Sequence, residues 1–157
     1  MWPFSRKSSK QKWAKIIADL IKQYKREYNQ FAEVDPATRS VIDSQTRDFH
    51  KCIDKAETIF TRAVSGDASD TDLHQYRKDI IYLIPNHIGV IETFRTRQKR
   101  DIERVGAGES LRHATSFNKD NWKQKYEETD SYGRNTVQTL KKLQTELTKA
   151  RWPLPIG

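Results

Sequence analysis

The most distinctive chemistry in this sequence is the positive charge concentrated near its amino-terminal end. Residues 1–26 contain eight Lys or Arg and a single acid, Asp19, which gives 8 − 1 = +7. The whole chain of 157 residues carries 29 basic and 21 acidic side chains, a net charge of +8, so the remaining residues are almost neutral. Trp2, Phe4 and Trp13 are interleaved with these cations. Cations beside aromatic rings are typical of surfaces that bind nucleic acid or anionic lipid head groups.

A second group of cations follows Phe94 in the sequence. On a helix, Arg97, Arg100 and Arg104 share one face, and arginine is favoured for bidentate contacts to phosphate. If this face adjoined the amino-terminal cations, the two together would form a groove for a nucleic-acid backbone, whereas a flat cationic surface favours lipid. Both groups are equally compatible with a solvated face whose charges are partly paired with acids.

The residues predicted to bind an anionic partner come from both groups. They are Arg6, Lys7, Lys10, Lys12, Lys15, Arg95, Arg97, Lys99, Arg100 and Arg104. Three aromatic residues near the two ends are predicted to anchor the protein to a membrane or to a partner protein: Trp2, Phe4 and Trp152.

Other patterns give weaker indications of chemistry. Asp70, Asp72 and His74 alternate like metal ligands, but acids at the start of a helix are explained by capping and by the helix dipole. His50 and Cys52 are two apart and do not converge on a helix, and a buried His87 is more often structural than catalytic. The sequence contains no nucleotide-binding loop, no zinc-protease motif and no Cys pair. We therefore predict no catalytic residue, no metal and no cofactor.

These residues belong to a chain whose apolar positions recur every three or four residues throughout. The first stripe runs from Trp13 to Phe31, and Ser8 or Ser9 can cap its helix. The second helix is predicted to begin at Asp35-Pro36 and to end at Gly66, the third to run from about Ser69 to Gly106, and the fourth to begin near Asn118. In the fourth helix Tyr126, Gly133, Leu140 and Leu147 are seven apart, a spacing that predicts a short coiled-coil seam, either internal or shared with a second chain.

Four long amphipathic helices with short connections predict an all-α fold, an antiparallel four-helix bundle. Pro85 falls inside the third helix, which we expect to be kinked or broken there. The predicted organisation is a basic and aromatic arm over residues 1–12, one helical domain over 13–150, and an extended apolar tail over 151–157.

Composition limits the cellular setting. Only 35% of the residues are hydrophobic and 32% are charged, which indicates a thin core or a subunit that completes its burial against a partner. Cys52 is the sole cysteine, as suits a reducing compartment, and no apolar run is long enough to cross a membrane. With no secretory signal recognisable, the expected location is the cytoplasm, with peripheral attachment to the inner membrane surface as a variant.

The expected function is that of a non-catalytic accessory or adaptor protein. Its Arg-rich helix face narrowly favours nucleic acid as the anionic partner, and a protein partner, either a larger complex or a second copy, is expected as well. The first alternative is a peripheral membrane-surface protein anchored by the aromatic amino-terminal residues. The second is a structural homo-oligomer or complex subunit without an anionic ligand.

Overall fold

The computed structural model describes residues 8–112 and 116–150, and within these ranges the chain is helical with no strand. The five helices are α1 (Ser9–Glu33), α2 (Pro36–Gln45), α3 (Arg47–Val64), α4 (Asp70–Gly106) and α5 (Trp122–Lys149). The all-α class predicted from the apolar spacing is confirmed.

The helices begin where the sequence supplies capping groups. The Ser8 hydroxyl accepts from the Gln11 amide at 3.2 Å, and the Gln11 side chain in turn accepts from the Ser8 amide at 2.9 Å, a reciprocal capping box. At α2, the Asp35 carboxylate caps the helix whose first residue is Pro36. At α4, the Ser69 hydroxyl accepts from the Asp72 amide. Each cap satisfies a backbone N–H that the helix itself leaves without a partner.

The predicted second helix is divided into two at Thr46. The Thr46 hydroxyl donates to the Ile42 carbonyl at 2.8 Å and lies 3.2 Å from the Tyr28 hydroxyl, in a residue that is almost completely buried. A threonine side chain bonded to the preceding turn competes with regular helical geometry, which explains the interruption. The sequence therefore identified the helical segment but missed its break.

Two further predictions concern the amino-terminal arm and Pro85. α1 begins at Ser9, so residues 9–12 are helical, and a separate arm over residues 1–12 stays a prediction. α4 continues through Pro85 as one helix, so the third helix is not broken there, and a kink at this position stays a prediction.

Long-range hydrogen bonds define how the helices pair. The Trp13 indole N–H donates to the Glu146 carbonyl at 3.3 Å and the Gln23 amide donates to Thr139 at 3.3 Å, so α1 runs antiparallel to α5. α4 also runs antiparallel to α5, since Arg77 donates to the Leu147 carbonyl near one end of the pair and contacts between α4 and Asp130 lie nearer the other. α1 and α4 each pack against both α3 and α5.

The core fills the space between α1, α3, α4 and α5. Its largest fully buried side chains include Ile17, Ile21, Phe60, Ile84 and Leu140. The seven-residue seam of α5 belongs to this core: Gly133, Leu140 and Leu147 are buried inside the chain. The seam is thus internal, which leaves α5 without an apolar stripe for a second chain at these positions.

Two helical glycines differ in what surrounds them, and this difference gives a stability prediction. A Cβ added to Gly133 would lie 2.6 Å from Cδ of Arg95 and 3.1 Å from the Phe31 ring, whereas one added to Gly89 meets nothing within 4 Å. We expect Gly133→Ala to destabilise the protein by about 1–2 kcal/mol, because the clash outweighs the gain in helix propensity. We expect Gly89→Ala to stabilise it by about 0.5–1 kcal/mol. Urea unfolding of dilute protein measures both changes, and effects of equal sign would contradict this description of the core.

Candidate functional site

Part of the predicted anion-binding set lies outside the described residues. This applies to Arg6 and Lys7, and also to the three predicted anchors Trp2, Phe4 and Trp152. The ends of the described chain do come together, because Trp13 at the start of α1 bonds to Glu146 near the end of α5 and Arg77 donates to the Ala150 carbonyl at 3.2 Å. Residues 8 and 150, the first and last of the described chain, therefore lie at the same end of the bundle.

The lysines of α1 divide into paired and unpaired groups. Lys10 contacts Asp70 at 2.5 Å and the Ala68 carbonyl at 3.2 Å, and Lys15 forms an ion pair with Asp19 at 2.9 Å. Lys12 is exposed and forms no ion pair with any residue that the structure describes. The paired lysines fasten α1 to the start of α4 or to its own next turn, so Lys12 is the predicted residue here that is most available to a ligand.

Three of the five cations in the second group are used inside the chain. Arg95 contacts Asp130 at 2.5 Å and Lys99 contacts it at 2.7 Å, which joins α4 to α5. The hydrogen bond from Lys99, together with the nearby Arg95, holds the pKa of Asp130 below its usual range. Arg104 pairs with Glu109 at 2.5 Å.

Arg97 and Arg100 remain exposed, without an ion pair among the described residues. They line a shallow depression of about 370 Å³ on the outer face of α4, together with Glu92, Thr93 and Thr96. The Arg97 guanidinium lies 5.7 Å from the centre of the Phe94 ring. This is the part of the predicted Arg-rich face that is free to meet a partner.

The two basic groups do not form one groove. Lys10 contacts Asp70 at the first residue of α4, whereas Arg97 lies 27 residues farther along the same helix. At 1.5 Å per residue this separates the groups by about 40 Å. In addition, α1 and α4 are diagonal members of the core, each packed on α3 and α5, so their outer faces point in different directions. The arginines of α4 and the amino-terminal cations therefore do not adjoin, and they do not together form a groove for a nucleic-acid backbone.

Further exposed cations lie on the outer sides of α1 and α5, two helices that pack against each other. Six exposed cations on these two helices have no ion pair among the described residues. One of them, Lys123, lies beside the Trp122 ring at the start of α5. We call the other five the α1–α5 basic face: Lys12, Lys22, Arg26, Lys141 and Lys142. The lysine pair of α5 falls between Thr139 and Glu146, which contact α1 at Gln23 and Trp13. The pair is therefore level with the middle of the α1 cations.

The residues predicted from the sequence to bind an anionic partner did not include Lys22, Arg26 or the two lysines of α5. The adjacent pair Lys141-Lys142 was the one available signal. Its relation to α1 depends on the pairing of the first and last helices, which local spacing does not reveal.

The most concentrated polar chemistry of the interior surrounds Tyr24. Its hydroxyl lies 2.7 Å from Nε2 of His50 and 2.6 Å from Nε2 of His87, while the His87 ring stacks on Phe49 with ring centres 3.8 Å apart. Tyr24 is fully buried and His87 is 3% exposed. A hydroxyl has one proton to donate, so one imidazole accepts that proton and the other donates its own N–H to the phenol oxygen. Three groups from α1, α3 and α4 are thereby linked.

This Tyr24–His50–His87 cluster favours uncharged histidines. Burial lowers the pKa of His87 to about 3, and burial also lowers the pKa of His50. Burial raises the pKa of the Tyr24 phenol well above its usual value. The ring nitrogens lie at hydrogen-bonding distance from the phenol oxygen, too close to leave room for a metal ion between them at the usual coordination distances. The cluster is therefore a neutral hydrogen-bonded connection across the core.

The remaining sequence candidates do not converge on a site. Asp70 pairs with Lys10 and Asp72 lies in the first turn of α4, as capping predicts. Burial raises the pKa of the Cys52 thiol to about 11, so it stays protonated at neutral pH. Within residues 8–112 and 116–150, no three His, Cys, Asp or Glu side chains come together in the way a metal ion requires.

Among the described helices, none combines the length and the apolar character needed to cross a bilayer. No protein family, no curated protein and no solved structure matches this chain, so the arrangement of its own residues has to carry the functional inference.

Proposed function

We propose that this protein is a non-catalytic helical adaptor that binds nucleic acid through the α1–α5 basic face. The observation that carries the proposal is the set of five exposed cations, without ion pairs among the described residues, on two adjacent antiparallel helices. We propose the finer architecture to be a four-helix bundle in which α2 and α3 together form one of the four helices and α4 is kinked at Pro85.

The dimensions of this face suit a phosphate backbone. Lys12 and Arg26 are 14 residues apart on α1, which corresponds to about 21 Å along the helix axis. Successive phosphates along one strand of a duplex are separated by about 3.4 Å along its axis, so several fall within this length. The two lysines of α5 add cations at one level only, beside the middle of the α1 segment.

The described part of the face offers little for insertion into a bilayer. Ile16 is its one large hydrophobic side chain with substantial exposure, at 45%, while Trp13 is 8% exposed and bonds to α5. An interfacial membrane helix presents a broad apolar face to the lipid. The membrane alternative therefore depends on Trp2 and Phe4, and we argue for nucleic acid.

The test compares charge reversal on this face with charge reversal elsewhere. Fluorescence anisotropy would measure the affinity of a labelled DNA duplex and of a single-stranded RNA for the wild type and for the double variant Lys22→Glu/Arg26→Glu. Counterion release makes each phosphate contact worth roughly eightfold in affinity at 0.1 M salt relative to 1 M. We therefore expect the double variant to bind at least about fifty-fold more weakly.

The matched control is Lys51→Glu/Lys55→Glu, which makes the same charge change on exposed positions of α3. We expect it to reduce affinity only slightly. Arg97→Glu/Arg100→Glu examines the α4 arginines in the same way. If this variant loses nucleic-acid affinity and Lys22→Glu/Arg26→Glu does not, the proposal is overturned. Binding to phosphatidylserine vesicles but to neither nucleic acid would favour the membrane alternative. Binding to none of the probes would favour a subunit without an anionic ligand.

A further inference from the structure

The outer face of α4 has an uncharged centre that nothing in the described chain covers. Residues 80–91 contain no Asp, Glu, Lys or Arg, although 32% of the whole chain is charged. Tyr82 is 83% exposed, the most exposed large hydrophobic side chain of the described residues, and Pro85, Asn86 and Gly89 are exposed beside it. This smooth patch lies midway along a helix of 37 residues.

Gly89 has no role inside the described chain that requires a glycine. The space around its missing Cβ is open, whereas at Gly106 and Gly133 an added Cβ would strike the Trp122 ring or the Arg95 side chain. Glycine in a helix interior costs stability relative to alanine, and an isolated one often marks a close approach by another backbone. The open space beside Gly89 is suited to receive a bulky side chain from outside.

Charge on the same outer face has opposite signs at the two ends of α4. The first turn carries exposed Asp72, next to Asp70, which is paired with Lys10. The last three turns carry exposed Arg97 and Arg100, while Arg104 is paired with Glu109. A helix with an acidic start, an uncharged centre and a basic end is complementary to a reversed copy of itself.

We propose that α4 is the interface of a homodimer in which a second copy of the chain packs antiparallel on this face. The twofold axis passes between residues 85 and 86, so each residue of α4 faces a residue of the second copy whose number and its own add up to 171. Tyr82 then faces Gly89 of the second copy, and Lys78 faces Thr93 next to Glu92. Arg100 faces Thr71, which lies between two aspartates. An isologous contact of this kind repeats every interaction twice.

Two observations favour a second copy over an unrelated partner. The charge pattern and the placement of Tyr82 and Gly89 are each self-complementary about the same point. A parallel arrangement would instead put like charges opposite one another, which is unfavourable. The proposal does not depend on nucleic-acid binding, since α1 lies diagonally across the core from α4 and its outer face stays accessible in the dimer.

The first experiment is sedimentation equilibrium of the full chain over a range of concentrations. We expect a reversible monomer–dimer equilibrium in the micromolar range, because one helix pair is a small interface. Tyr82→Lys should weaken association at least tenfold, and Arg100→Glu should weaken it as well. Adding Asp72→Lys to Arg100→Glu should restore dimerisation, because the swapped charges face each other again in both halves of the interface. Circular dichroism confirms that each variant is folded.

The second experiment tests the orientation by crosslinking with a short bis-maleimide in a Cys52→Ala background. Lys78→Cys and Thr93→Cys protein should crosslink efficiently when mixed and poorly when each is alone, because residue 78 faces residue 93 only across an antiparallel pair. Gln138→Cys, at an exposed position on α5, controls for random collision. A protein that stays monomeric at all concentrations, or cysteines that crosslink as well alone as in the mixture, would overturn the proposal.

Discussion

Tyr24→Phe is expected to lower the free energy of unfolding by about 2–4 kcal/mol at pH 7. The substitution removes one oxygen and no packing, but that oxygen is the hydrogen-bond partner of Nε2 in both His50 and His87. His87 is 3% exposed, so water does not readily replace the lost bond. An unsatisfied buried polar group costs about 1–3 kcal/mol, and here two groups lose their partner. Urea unfolding monitored by circular dichroism measures the change.

Tyr28→Phe is the matched control because Tyr28 lies one turn away on the same helix. Its hydroxyl donates to Asp43 at 2.6 Å, and the Asp43 side chain is 44% exposed and can be solvated when the bond is lost. We expect a loss of about 1 kcal/mol. Equal losses for the two substitutions, or no loss for Tyr24→Phe, would contradict the central position of the Tyr24 hydroxyl.

Acidification is expected to destabilise the protein while its carboxylates are still ionised. The pKa of His87 is lowered by burial to about 3, and the pKa of His50 is lowered as well, so the folded state holds both rings neutral. The stability from this preference is complete above the unfolded pKa of about 6.5 and declines as the pH falls toward the folded value. His87 alone should contribute a loss of about 2 kcal/mol between pH 6.5 and pH 5.

The pH range of this effect separates the histidines from the acidic groups. The pKa of Asp130 is lowered by Lys99 and Arg95, so the stability it contributes is lost only as the pH falls below its unfolded value, near 4. Denaturant unfolding at pH 6.5 and pH 5, at constant ionic strength, should therefore report mainly the histidines. In His87→Phe, whose ring can still stack on Phe49, the loss over this interval should be much smaller. An unchanged loss in that variant would show that other groups cause the acid sensitivity.

The sequence was sufficient to predict the helices because their signals are local. Ser8, Asp35 and Ser69 each precede a helix and cap it, and the apolar stripes identify most of the buried residues. The break at Thr46 was missed because it depends on a buried contact between its hydroxyl and Tyr28. The composition gives the number of charged residues but not their partners. Lys10 bonds to Asp70, 60 positions away, whereas Lys12 forms no ion pair with a described residue.

The candidate sites were less predictable than the helices because they form between distant segments. His50 and His87 are separated from Tyr24 by 26 and 63 residues, so no spacing rule brings the three together. Asp130 neutralises two of the five cations of the Arg-rich group from a helix that begins at Trp122. Gly89 and Gly133 both lie inside helical segments, and the sequence around them does not distinguish them. In the structure Gly89 faces open space, whereas Gly133 lies against Arg95 and Phe31.

The salt dependence of nucleic-acid affinity tests the α1–α5 basic face most directly. If its five cations each contact one phosphate of a duplex, the plot of log K against log salt concentration should have a slope of about −4.5. Lys22→Glu/Arg26→Glu should reduce the slope to about −2.7, because two contacts are lost, while Lys51→Glu/Lys55→Glu should leave it near the wild-type value. A slope that the reversals at Lys22 and Arg26 do not change would contradict nucleic-acid binding by this face.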